Sequence, residues 1–182
     1  VPADQSLDAQ PGELVWAEVK SVRPLGLKHA RVVERLGPTM GPKSITPITL
    51  HDHDIPMRFS EAALAQAEAA GPAPLTGRED LRDIPLVTID GEDARDFDDA
   101  VWAASDDDPA NPGGWHLIVA IADVAWYVRP GSPLDKQAFE RGNSVYFPDK
   151  VVPMLPEPLS NGWCSLKPDE DRPCLAVHLK IT

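Results

Sequence analysis

No run of apolar residues approaches the ~18 needed to cross a bilayer as a helix, so no transmembrane helix is expected. The opening stretch VPADQSLDAQ has neither a basic start nor an apolar core, and it does not read as a secretory leader. Cysteine is scarce. Cys164 and Cys174 are the only two, too few for a disulfide framework and too far apart for a CxxC motif. Without a leader they point to a reducing, cytoplasmic setting. There is no internal repeat and no heptad pattern. What remains is a chain that is 42% hydrophobic and 25% charged, a balance that excludes wholesale disorder. Its 182 residues fit one domain, or one domain and part of another.

Acid is abundant, with 29 Asp and Glu against 17 Lys and Arg and a net charge of −12. Taken as a whole, that charge argues against a phosphate-rich partner. Its distribution argues otherwise. Residues 79–108 hold 12 acidic and 2 basic side chains, so this segment carries −10 of the −12. The acids are interleaved with strand-like apolar residues, which weakens the alternative of a solvated acidic tail.

Proline is also abundant, at 20 residues, and it cuts the chain into short elements. Glu13–Lys20 alternates and predicts a strand; Ala30–Leu36 predicts a second, ending at Gly37-Pro38. Pro38–Pro47 reads as a connector. Ser60–Ala70 predicts a helix capped by Ser60 and stopped by Gly71-Pro72, with an alanine face expected to pack loosely. Leu86–Asp90 is an apolar run ending in an acid. Ala100–Ala103 and Trp115–Ala122 predict strands, the second apolar enough for a central position. Ser132-Pro133-Leu134-Asp135 opens a short helix that Gly142 ends. Ser144–Phe147 and Cys174–Thr182 predict further strands, with Leu175, Val177, Leu179 and Ile181 on one face. The last pattern runs to the final residue, and Val1 stands where an initiator Met would. Both features lead us to expect a piece of a longer chain.

The chemistry concentrates in Thr88–Ala100, TIDGEDARDFDDA. Asp90 closes an apolar run; Asp96, Asp98 and Asp99 return after a glycine-containing turn. Four carboxylates held this close repel one another unless a cation neutralises them or some are protonated. A hard, oxygen-seeking ion such as Mg²⁺ suits the set, and a pair of such ions can clamp a phosphodiester displacement. An EF-hand calcium loop fails on spacing. Its sixth position must be Gly, yet Arg95 stands there when counting from Asp90 and Val101 when counting from Asp96.

The run Asp80-Leu81-Arg82-Asp83 followed by Pro85–Val101 resembles the catalytic signature of the ribonuclease II/ribonuclease R family, in its bacterial ribonuclease R branch. The likeness continues through Val119–Val124, Tyr127–Pro130, Ser144–Pro148, Pro153–Pro156 and Leu159–Gly162. Residues 12–37 resemble, more weakly, the end of the cold-shock (OB-type) domain that precedes the catalytic domain there. The resemblance implies an α+β protein: the end of an OB-type β-barrel at 1–37, a linker with a helix at 38–79, and at 80–182 the N-terminal part of a mixed, mainly antiparallel RNB catalytic domain. It further implies a 3′-to-5′ hydrolytic exoribonuclease that acts on single-stranded RNA, releases nucleoside 5′-monophosphates and uses Mg²⁺, with Mn²⁺ as a substitute.

Asp90, Asp96, Asp98 and Asp99 match the family's four catalytic, metal-holding aspartates. Asp90 and Asp99 would be ligands, Asp98 the most demanding position, and Asp96 a holder of metal or water. Tyr146 matches an aromatic that contacts RNA near its 3′ end, in keeping with the stacking and 2′-hydroxyl contacts of RNA recognition. The family's later arginine, glutamate and aromatics fall beyond Thr182, as does its S1 domain. The chain is therefore expected to be inactive by itself, for want of the group that stabilises transition-state charge.

The competing reading is a non-catalytic RNA-binding module of OB and nuclease-like parts. The intact acids at 90, 96, 98 and 99 weigh against it, because a degenerate copy would have lost one. Other features have plainer readings. His51-Asp52-His53 is expected to be a loop turn rather than a metal site. The five tryptophans could stack on bases, but most are expected in core or interface positions. Tyr127 and Phe147 fit core positions as well as RNA contacts, and Asp123 fits a turn. Arg129 and Arg141 are expected to pair with surface acids, and the cysteines to be buried small hydrophobes.

Overall fold

The computed structural model describes residues 1–20, 29–39 and 42–182. They divide into two units, one of Val1–Met57 with Tyr146–Val151, the other of Arg58–Val145 with Val152–Thr182.

In the first unit, β1 (Glu13–Lys20) pairs antiparallel with β2 (His29–Pro38), with register shifts after Leu14 and Trp16. Arg35 grips the Glu13 carboxylate with two hydrogen bonds, at 3.0 and 2.6 Å. The connector expected at Pro38–Pro47 is in part a helix, α1 (Pro42–Asp52), with Pro47 inside it. A proline costs an interior helix one N–H bond and a clash. Here Thr46 and Leu50, one turn apart, are both buried, and that packing outweighs the local penalty. His51 and Asp52 end this helix rather than a loop, and His51 meets the Trp16 ring edge-on at 5.3 Å. Thr46 Oγ1 donates to Asp149 Oδ1 at 2.6 Å.

The second unit packs helices beside an antiparallel sheet. Helix α2 (Glu61–Glu68) is capped by the Ser60 hydroxyl, which accepts from Ala63 N–H at 3.3 Å. Its alanines do not pack loosely. Ala63 and Ala67 are 0% and 1% exposed and share a core with Tyr127, Leu134, Leu159 and Cys164. Alanine contributes little area, but it lets backbones approach closely. Gln66 exploits that approach, donating to the Tyr127 carbonyl and accepting from Leu134 N–H.

Three strands form the sheet in the order β3 (Asp99–Ser105), β4 (Trp115–Ala122), β7 (Cys174–Ile181). The apolar β4 is central, as its sequence requires. Ala100, Ile118, Ala120 and Ala122 on one face are buried. The opposite face keeps Trp115, Ile121, Leu175, Val177, Leu179 and Ile181 exposed, one side of each strand as the two-residue alternation dictates. The run Leu86–Asp90 forms no strand of its own. It touches the sheet through one antiparallel bridge, Val87 to Val101.

Helix α3 (Val124–Tyr127) is capped by Asp123, and α4 (Pro133–Arg141) by Ser132, with Pro133 at its first turn. Gly142 ends α4 at φ +76°, a conformation glycine adopts without strain. The short strands β5 (Val145–Phe147) and β6 (Lys150–Val152) pair as a hairpin. A π-helical turn spans Leu159–Trp163. Among the described residues no helix is long and apolar enough to cross a membrane.

Candidate metal centre

The four aspartates are mounted by the sheet and by a loop stapled to it. Asp99 is the first residue of β3, opposite Ile121. The Asp98 carbonyl accepts from Ala122 N–H at 2.9 Å, extending the β3–β4 ladder by one bond. The bridge between Val87 and Val101 is closed by two hydrogen bonds, at 2.9 and 2.8 Å. Thus a rigid sheet edge carries Asp98 and Asp99, and Asp90 follows three residues after the bridge at Val87.

Asp96 lies in the approach to β3, and this stretch is held by residues far along the chain. Ser165 is 0% exposed. Its hydroxyl accepts from Phe97 N–H at 3.0 Å and donates to the Arg95 carbonyl at 3.0 Å. Leu166 N–H donates to the Phe97 carbonyl at 2.8 Å. Three hydrogen bonds from two consecutive residues therefore bracket Asp96.

The electrostatics record the crowding. Burial pushes the Asp98 carboxyl above its ordinary range, and the charges of Asp96, Asp99 and Asp90 push the same way. All four carboxylates therefore act on one locus. They supply only hard oxygen donors, the chemistry that Mg²⁺ or Mn²⁺ takes. Among the described residues no three acidic, His or Cys side chains converge to metal-holding distance. The set fits a divalent cation by donor type and charge.

An open groove of about 670 Å³ adjoins the stretch. Arg95, Phe97, Asn161 and Lys167 line it, with Glu157 and Glu170. Arg172, which hydrogen-bonds Glu170 and the Gly162 carbonyl, stacks over Trp163 at 5.1 Å. Cys164, behind the site, is buried and its thiol is pushed up to about 12, chiefly by that burial, so it is inert at neutral pH.

Tyr146 is 66% exposed on β5 and belongs to the unit that holds β1 and β2. Asp123 is the cap of α3, accepting from Trp126 N–H and from Arg78 at 2.7 Å. The arginines expected to pair with surface acids are stacked instead: Arg129 over Trp126 at 4.9 Å, and Arg141 over Phe59 at 3.7 Å. Arg141 also donates to the Pro153 carbonyl at 3.2 Å. Trp16 and Trp115 are 38% and 53% exposed. Ser165 escaped the sequence reading, because a lone serine about 70 residues from its partners leaves no pattern.

The RNB domain model matches residues 78–182, more than half of the chain. The chain belongs to the RNB family. A cold shock domain model matches residues 1–60. Ribonuclease R of Vibrio parahaemolyticus is 49% identical over 188 residues, covering all of this chain and 22% of that protein. The chain therefore spans about a fifth of the length of the curated relatives it matches. Among solved structures, Mycoplasma genitalium RNase R in complex with double-stranded RNA superimposes with a TM-score of 0.80 at 28% identity. That match covers 99% of this chain and 31% of the other. The same enzyme in complex with ribose-methylated single-stranded RNA gives the same TM-score and identity, covering 28% of its chain. The mixed α+β architecture with antiparallel sheets, joined to a cold-shock part, is that of RNase R structures.

Proposed function

We propose that this RNB-family chain supplies the metal-holding part of a 3′-to-5′ exoribonuclease that hydrolyses single-stranded RNA to nucleoside 5′-monophosphates in the cytoplasm. One observation carries the reading: Asp90, Asp96 and Asp99 all press on Asp98, at the edge of a rigid sheet. Repulsion of that kind is costly unless a cation resolves it. Asp90, Asp96, Asp98 and Asp99 would hold Mg²⁺, or Mn²⁺ in its place. Bound there, the ion supplies charge stabilisation at a phosphodiester and lowers the pKa of water.

The chain's own residues supply the remaining contacts. Asp98, with its carboxyl biased toward the protonated form, is the acid whose charge depends most on what binds beside it. Arg95 and Lys167 offer cations to phosphate along the groove, and Phe97 offers a ring to a base. Tyr146, exposed on its hairpin, is suited to stack on a nucleotide. The RNA named in the titles of the two solved RNase R complexes supports RNA as the partner.

The test is RNA hydrolysis by a polypeptide of the relatives' full length that carries this chain. Release of 5′-monophosphates from single-stranded RNA, lost in Asp98→Asn, is the expected result. Undiminished release by Asp98→Asn refutes the reading.

A further inference from the structure

We propose that Ser165 is a positioning residue for the metal centre: its buried hydroxyl sets the register of Arg95–Asp98, so that Asp96 faces Asp98 rather than the groove. The inference rests on the metal reading given above and adds a residue to it.

The geometry is specific. A hydroxyl has one proton to give and lone pairs to receive with. Ser165 spends both on the two backbone groups flanking a single residue, the Arg95 carbonyl and the Phe97 amide. The hydroxyl thus ties the backbone on either side of Asp96 to one point. Leu166 N–H, bonded to the Phe97 carbonyl, continues the same edge.

The consequence is visible in the side chains. Arg95 and Phe97 line the groove; Asp96, between them, does not, and its charge acts on Asp98. A one-residue slip would turn Asp96 into the groove and put Arg95 or Phe97 among the carboxylates. The carboxylates repel one another, so without an ion the loop gains by spreading. Three hydrogen bonds oppose that spreading, and Ser165 makes two of them. Ser165 itself is anchored, its N–H bonded to the Gly162 carbonyl at 3.1 Å and its carbonyl to Lys167 N–H at 2.9 Å. The hydroxyl therefore holds the loop to a fixed point.

The test uses a polypeptide of the relatives' full length that carries this chain, with Ser165→Ala, Ser165→Cys and, as a core control, Leu159→Ala. Cysteine keeps the volume but is a weak hydrogen-bonder, so it separates packing from bonding. Leu159 is 0% exposed and touches none of the four aspartates through a hydrogen bond that the structure shows. Amide hydrogen exchange at Phe97 is expected to speed about tenfold relative to Ala120 in both Ser165 variants, and not in Leu159→Ala. Mn²⁺ affinity, read by electron paramagnetic resonance, is expected to fall about tenfold in Ser165→Ala and Ser165→Cys. Leu159→Ala should lose thermal stability yet keep its Mn²⁺ affinity within about twofold.

A Phe97 amide as protected in Ser165→Ala as in wild type overturns the proposal. So does a Ser165→Ala isotherm that matches a wild type whose binding depends on Asp90 and Asp99. A wild type whose Mn²⁺ binding is indifferent to Asp90→Asn and Asp99→Asn overturns the metal reading itself.

Discussion

Asp98 and Asp106 stand at opposite ends of β3, and their surroundings are opposite too. The Asp106 side chain is 4% exposed. Lys180 approaches it at 2.6 Å, Asn111 donates at 2.9 Å, and the Asp108 N–H donates at 3.3 Å. These partners, Lys180 first, hold its carboxyl down at about 2. Asp80 is treated alike by Arg82, which bonds both carboxylate oxygens and holds it at about 2. Asp98 has carboxylates for neighbours and is shifted upward. The acidic segment is therefore of two kinds. Some acids have each been given a cation or a donor by the fold. Asp98 has been given other acids as neighbours, and their charges bear on it. The net charge alone conceals that difference, and the pairing pattern exposes it.

The comparison breaks most visibly by titration with an ion. The double variant Asp90→Asn, Asp99→Asn should lose Mn²⁺ affinity by about a hundredfold, because removing ligands costs no less than removing the groups behind them. Asp106→Asn and Asp80→Asn should leave it unchanged, since those carboxylates are already neutralised by protein cations. Calorimetry on the three proteins decides. If the double variant and Asp106→Asn behave alike, the division into two kinds of acid is wrong.

Breaking a pair is the next largest effect. Lys180→Ala leaves the Asp106 carboxylate with two N–H donors and no cation. The melting temperature should fall by a few degrees, and Lys180→Arg should recover most of the loss. A third effect follows from the depressed carboxyls by linkage. A group held below its unfolded value adds stability above that value and loses it as pH falls through the folded one. For Asp106 and Asp80 the window runs from about pH 4 down to about 2. The acid limb of a melting curve against pH should therefore flatten in the Asp106→Asn, Asp80→Asn double variant, with little change at neutral pH beyond a uniform offset.

Much of this division was written locally, and the remainder was not. The TIDGEDARDFDDA spacing marks the aspartates because their grouping depends on residues within ten positions. WHLIVAIA marks a central strand because its run is apolar on both faces, although Trp115 and Ile121 stay exposed. The Ser132-Pro133-Asp135 start of α4 and its Gly142 end are legible for the same local reason. Helix α1 was hidden by Pro47, whose penalty is paid back only by burying Thr46 and Leu50. The tight packing of α2 was hidden because alanine's value lies in what it allows to approach. The Leu86–Asp90 run is apolar, yet only Val87 pairs with the sheet. Ser165 and Lys180 were illegible altogether. Each acts across about 70 residues, and nothing adjacent to them in the chain encodes the partner.

The smallest effect is also the one that tests the sign. Asp98 has a raised carboxyl pKa, so its ionised form is less favourable in the folded chain than in the unfolded one. Its contribution to stability is intact below the ordinary value near pH 4 and falls away as pH rises through the raised one. At neutral pH without a divalent ion, the charged Asp98 therefore works against the fold. Asp98→Asn should melt about 1 °C higher than wild type there, a small gain because Asp98 is exposed and water screens its neighbours. Below about pH 3 the gain should vanish, since Asp98 is then largely protonated in both states. Saturating Mn²⁺ should invert the order. An ion that binds only the folded state adds stability in proportion to its affinity, and wild type binds it more tightly. Thermal melts of the two proteins, with Mn²⁺ and with chelator, should cross. If Asp98→Asn is the less stable protein under both conditions, Asp98 is a structural acid like Asp106, and the contrast between the two ends of β3 does not hold.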